Sequence, residues 1–249
     1  MSFLIVLAVT CAVVAVANRS IHRTPWLWYG LAIALDVLYA VGVGANVPPA
    51  VLRFLAPVVQ QGMAATALFA IVMYCGVFPE HSRVRRTIGP IRAELSIMAC
   101  ILALAHCLNY LSSYLGVLTA HLQALAPNQA ASLFVALALF ALLAVLGVTS
   151  AKAVKRRMRA GVWKNVQRAS YVFFGLIFVH EVLILYPAAL KGQGDAASTL
   201  AASAVVFGLY AVLRIARFVL DRARAGAGDG DGASRTDGFE EEASRVCVG

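Results

Sequence analysis

Seven stretches of this chain stay apolar for long enough to cross a bilayer, and that feature excludes most folds at once. A helix needs roughly 20 consecutive apolar residues to span a hydrocarbon core about 30 Å thick. Within that core each backbone N–H and C=O must be satisfied inside the protein, which strongly restricts the architectures available. The runs are Ser2–Ala17, Trp26–Gly44, Ala50–Phe78, Glu94–Leu118, Ala131–Ser150, Tyr171–Leu190 and Ser198–Leu220. Overall the chain is 61% hydrophobic and only 13% charged, against about 25% charged in a soluble domain. The expected fold is therefore an all-α integral membrane protein.

The first run is the shortest. It lacks a basic start and a small-residue cleavage site, so it reads as a membrane anchor rather than a signal peptide. Its positive residues, Arg19 and Arg23, follow it, which predicts an anchor inserted in the reverse orientation.

The formal net charge of +9 raises the question of nucleic acid. The placement of the charge answers it. Apart from Arg53 and Lys191, the Lys and Arg residues fall in four blocks: Arg19–Arg23, Arg83–Arg92, Lys152–Arg168 and Arg214–Arg245. With seven spans all four blocks lie on one face, which the positive-inside rule makes cytoplasmic. The basicity is topological and predicts no nucleic-acid partner. The N-terminus is expected outside and the C-terminus inside.

The five cysteines (Cys11, Cys75, Cys100, Cys107 and Cys247) show no CxxC or other metal-ligand spacing, so neither a disulfide framework nor an iron–sulfur centre is expected. Two inner loops are basic. "EHSRVRRTIGPIR" joins spans three and four, and "AKAVKRRMRAGVWKNVQR" joins five and six. The second is amphipathic enough to lie along the interface as a helix. The outer segment "TAHLQALAPNQA" could cap the outer face. The tail, rich in Gly and acidic residues, is expected to be disordered. There is no GxGxxG or P-loop, and hence no sign of a fused flavin or nucleotide domain.

Ionisable residues inside spans are costly, so each is a functional candidate. Here they are Asp36, Arg53, His106, His180 and Glu181. His22 and His81 fall in loops, and His121 lies past the outer end of span four. His106 and His180 stand out because their helices both start on the basic face and run outward. They follow Arg92 and Arg168 by fourteen and twelve residues, which places them at depths of ~21 Å and ~18 Å. Two imidazoles at matching height on parallel helices could grip one metal from opposite sides. A haem with two axial histidines suits such a site, whereas zinc would want further N, S or O ligands. On spacing alone, each histidine could equally hydrogen-bond a neighbouring helix.

The surrounding residues carry a resemblance. "RAELSIMACILALAHCLNYL" (Arg92–Leu111) and "LGVTSAKAVKRRMRAGVWKNVQRASYVFFGLIFVHE" (Leu146–Glu181) resemble the ferric-reductase-like transmembrane domain. Within that family they are most nearly similar to the haem-binding membrane subunits of bacterial protein-methionine-sulfoxide reductases. The matching positions are Arg92, His106, Thr149, Ser150, Arg156, Arg157, Trp163, Arg168, Tyr171 and His180. The resemblance implies a six-helix haem-binding core over residues 26–220. An extra N-terminal transmembrane helix with its basic loop (1–25) precedes it, and the cytoplasmic tail (221–249) follows.

Two-haem relatives carry a second histidine 13 or 14 residues before each ligand. Here those places hold Gln167 and Arg92, so the implied count is one haem b with His106 and His180 as axial, metal-binding ligands. His121 is a further candidate ligand. Arg53 is placed to meet a haem propionate or to snorkel to the interface, and Tyr110, four residues after His106, to pack on the porphyrin. Glu181 points about 100° away from His180, so it is expected to face another helix or the outer mouth, or to pair with Arg53. Asp36 is expected to serve a proton path or a quinone site, or to hydrogen-bond Gln60 or Gln61.

The implied function is electron transfer rather than a complete enzyme. The expected donor is a quinol or another membrane redox donor, with quinone a second ligand. The expected acceptor is an extracytoplasmic flavoprotein or molybdopterin reductase. The alternatives are a self-contained transmembrane ferric-type reductase and a proton-coupled transporter without haem.

Overall fold

The computed structural model describes residues 3–42, 48–79, 81–120 and 126–246, without the side chains of 112, 113, 115–120, 152 and 224–249. Every regular element among them is helical: α1 (Phe3–Arg23), α2 (Pro25–Gly42), α3 (Pro49–Leu55), α4 (Met63–Cys75), α5 (Arg83–Ile88), α6 (Arg92–Ala120), α7 (Pro127–Ser150), α8 (Lys152–Arg157), α9 (Ala160–Leu190) and α10 (Gly194–Val246). Six helices are long and apolar enough to cross a membrane, or seven spans if α3 and α4 count as one. The protein is a multi-pass helical membrane protein. His121 lies outside the described residues.

The third apolar run is not a straight helix. A π-helical turn, Ala56–Gln60, follows α3, and Gly62 then adopts a left-handed φ of 69° before α4 begins. The two halves meet at a bend of 41°. Pro57 supplies no N–H to a ladder, and glycine alone takes the left-handed conformation without a steric penalty. Those two residues account for the break.

The core is built where small residues let helices approach. Ala64, Ala65 and Leu68 of α4 pack with Leu95, Ala99 and Leu102 of α6, and with Val6, Val14 and Ile21 of α1. Small side chains at such contacts are the expected solution in lipid, where apolar burial gives helices little reason to associate. The first helix is thus packed into the core rather than standing apart from it.

Helix α7 runs antiparallel to α9, as three paired contacts show. Asn128 donates to the Leu183 carbonyl at 3.3 Å, Ser132 meets His180, and Trp163 Nε1 donates to the Thr149 carbonyl at 3.1 Å. Gln167 Nε2 also donates to Thr149 Oγ1 at 3.1 Å. These last bonds tie the first turns of α9 to the end of α7. The basic segment after α7 therefore differs from the single interfacial helix expected over 151–168. It divides into short α8, an extended link at Met158 and Arg159, and the start of α9.

The chain separates into two compact units, Met1–Phe207 and Gly208–Gly249. In the second, Arg217 Nε pairs with Asp221 at 3.0 Å, one turn apart. The backbone there is helical to Val246, through six glycines whose helix propensity is about 1 kcal/mol poorer than alanine's. In the first unit, the Tyr74 hydroxyl donates to the Val206 carbonyl at 2.6 Å. Tyr74→Phe should lower stability by about 1 kcal/mol, read as a lower melting temperature in detergent. An unchanged melting curve would show that bond to be energetically idle.

Candidate functional site

His106 sits on α6 opposite the broken span. Its Nδ1 lies 2.5 Å from the main-chain carbonyl of Gln60, the last residue of the π-helical turn. A carbonyl can only accept, so the proton is on Nδ1 and the Nε2 lone pair is left available. His106 has no Nε2 partner among the described residues. The Tyr110 ring lies beside the imidazole, with centroids 5.0 Å apart and planes tilted by 56°.

His180 on α9 repeats the arrangement against a different helix. Its Nδ1 lies 3.2 Å from the Ser132 carbonyl and 2.9 Å from the Ser132 hydroxyl. With the proton on Nδ1 both oxygens are satisfied, and again Nε2 has no partner among the described residues. Ser132 is only 2% exposed, so the anchor is fixed within the packed interface of α7 and α9.

Metal-bound histidines characteristically give their second ring N–H to a carbonyl or carboxylate, which sets tautomer and orientation. His106 has that support, and His180 has it with its proton on Nδ1. Among the described residues no group of three or more His, Cys, Asp and Glu could hold a bare metal ion. His106 and His180 by themselves fall short of the three or four protein ligands of a zinc site.

The other candidates are more scattered. Arg53 is exposed on α3 and makes no ion pair among the described residues. It does not pair with Glu181. That carboxylate faces another helix, where the Ser203 hydroxyl donates to its Oε1 at 2.7 Å. Ser203 is fully buried at 0% exposure, so Ser203→Ala would strip a half-buried carboxyl of its donor. The expected cost is about 1–3 kcal/mol, measured by thermal unfolding in detergent. A serine variant as stable as wild type would mean the carboxyl finds another donor.

Asp36 bonds neither Gln60 nor Gln61 among the described residues. Gln60 Oε1 accepts from the Tyr39 hydroxyl at 2.5 Å. Asp36 Oδ1 is buried without a partner among the described residues.

Three partners were not evident in the sequence: the Gln60 carbonyl, Ser132 and Ser203. A main-chain carbonyl carries no residue signature. Ser132 and Ser203 are small polar residues in apolar runs, and such residues are common at helix contacts in membranes.

Taken together, fold and site define a multi-pass helical membrane protein with two half-buried histidines anchored to the main chain of neighbouring helices. The chain is similar to an uncharacterized protein of Treponema pallidum (strain Nichols), with 33% identity over 217 residues. That match covers 86% of this chain but 60% of the relative, so the chain spans about three fifths of the relative's length. No family model matches the sequence, and no solved structure matches it.

Proposed function

We propose that this protein is a haem b-binding membrane electron carrier of the ferric-reductase-like kind, with His106 and His180 as axial ligands of one haem. The observation that carries this reading is the shared support of the two rings. Each imidazole is held at Nδ1 by a neighbouring helix and keeps Nε2 unpartnered among the described residues. Bound there, a haem supplies one-electron chemistry in an interior that excludes water.

The chain's own residues then have defined tasks. Gln60 and Ser132 fix the tautomer of the two ligands and add basicity to them. Tyr110 packs beside His106, and Arg53 is the cation available to a propionate. The six-helix core spans residues 26–220, with α1 packed alongside. The basic segments face the cytoplasm, which puts the N-terminus outside and the C-terminus inside. Electrons come from a quinol or another membrane redox donor and leave to an extracytoplasmic flavoprotein or molybdopterin reductase.

A reduced-minus-oxidised visible spectrum of the purified protein, with a haem-to-protein ratio, tests the reading. One b-type haem per chain is the expected result. A colourless protein from haem-replete cells would sink it. One observation favours a second reading, a proton-coupled transporter. Asp36 places a buried, unpartnered carboxylate oxygen on α2, and the neighbouring third span is broken, as spans that line substrate sites in transporters are. A colourless protein would put that reading first.

A further inference from the structure

We infer that the break in the third span is a positioning device for His106, with Gln60, Gly62 and Tyr39 as its positioning residues. The inference rests on the haem reading for its functional meaning, but its geometry stands without it.

In a regular helix the carbonyl of residue 60 would accept from the N–H of residue 64, and no side chain could claim it in full. The break frees it. Gln61 N–H bonds back to Ala56 at 2.9 Å, Gly62 N–H to Val59 at 3.1 Å, and Thr66 N–H to Gly62 at 3.0 Å. None of these donors uses the Gln60 carbonyl, which is left for His106 Nδ1. A straight α-helix at this point would leave that carbonyl shared with the N–H of residue 64, as the Ser132 carbonyl is within α7.

The same turn also sets where the ring can lie. A Cβ added at Gly62 would stand 3.3 Å from both Cγ and Nδ1 of His106. That is tighter than ordinary van der Waals contact, and the φ of 69° already disfavours any side chain. The backbone of residue 62 is therefore a wall against the imidazole, and only glycine makes it thin enough.

Tyr39 secures the turn from the opposite side. It is buried on α2, and its hydroxyl holds the Gln60 side chain. Leu55, just before the turn, and Val59, within it, pack with Tyr39 in one apolar cluster that Ala105 of α6 also joins. Gln60 is thus held twice, by α2 through its side chain and by α6 through its carbonyl. Three helices determine the direction of one N–H, and with it the direction of the Nε2 lone pair.

The test uses the full-length protein in detergent with Tyr39→Phe, Gly62→Ala and, as a remote control, Tyr74→Phe. Three signals are read: bound haem, the low-spin electron paramagnetic resonance spectrum, and the tautomer of 15N-labelled His106. Gly62→Ala is expected to weaken haem retention about tenfold, as loss of a ligand's supporting partner does elsewhere, and to shift the low-spin signal. Tyr39→Phe is expected to keep its haem but show a shifted signal, whereas Tyr74→Phe overlays the wild type. Unshifted signals in both Tyr39→Phe and Gly62→Ala would overturn the positioning role. Failure of the haem reading is distinguishable, because the nitrogen spectrum needs no cofactor. In a colourless protein, an Nδ1–H tautomer that Gly62→Ala disturbs sustains the inference, and an Nε2–H tautomer in the wild type overturns it.

Discussion

His106→Ala and His180→Ala should each yield a protein without bound haem, against the one b-type haem per chain proposed for the wild type. The two losses are expected to be complete and independent, because each variant removes one of the two proposed ligands. The structural effects should differ. His106→Ala leaves the Gln60 carbonyl unpaired at a helix break, at a cost of about 1–3 kcal/mol. His180→Ala leaves only Ser132, whose own helix already satisfies much of its bonding.

His106→Asn separates the two roles of this residue. An amide can still donate to the Gln60 carbonyl, so the variant should recover stability, yet haem should remain absent. Absorbance spectra, haem-to-protein ratios and melting curves of the four proteins decide the matter. Haem retained at wild-type levels in either alanine variant would show that the residue is not an axial ligand. A pair of histidines serving only to bond neighbouring helices predicts that outcome, with stability as the sole casualty.

Phe174→Ala should be the most damaging single substitution away from the histidines, at about 3 kcal/mol. The Phe174 side chain is 2% exposed. Its ring centroid lies 4.4 Å from that of Phe207, and Phe178 stacks on Phe207 at 5.3 Å. In lipid the removed ring cannot be credited with exclusion from water, so the cost comes from lost packing contacts and the void left behind. Because the Glu181–Ser203 hydrogen bond crosses the same helix contact, Phe174→Ala should also weaken that bond. Combining it with Ser203→Ala should then cost less than the two single effects together. Melting temperatures in detergent measure all three. A Phe174→Ala protein within about 0.5 kcal/mol of wild type would imply that the site collapses to fill the void.

How much of this was legible beforehand follows from the kind of signal each feature leaves. Long apolar runs are unmistakable, because the bilayer imposes a length, and the helices α1, α2, α6, α7, α9 and α10 each contain one of them. The 29-residue run from Ala50 to Phe78 was harder. Its hydropathy is continuous, so it read as one span, although Pro57 and the sequence Gln60-Gln61-Gly62 were already present at the break. Hydropathy counts residues and does not register a bend. Asp36 was conspicuous for the same reason as the histidines, as a costly group in an apolar run. Neither Gln60 nor Gln61 bonds it among the described residues; on α2 it is Tyr39, one turn away, that reaches Gln60.

The sequence by itself determined that the chain is helical and membrane-spanning, and it singled out His106, His180 and Glu181 as groups that lipid would reject. Those conclusions need only the solvent: hydrocarbon satisfies no backbone group and tolerates few ionisable ones. The tertiary structure alone decided what those groups face. The Gln60 carbonyl, the Ser132 carbonyl and the wall at Gly62 are main-chain features, identical in composition at every residue. They become specific only when a broken helix and an antiparallel neighbour bring them to within hydrogen-bonding distance of a ring.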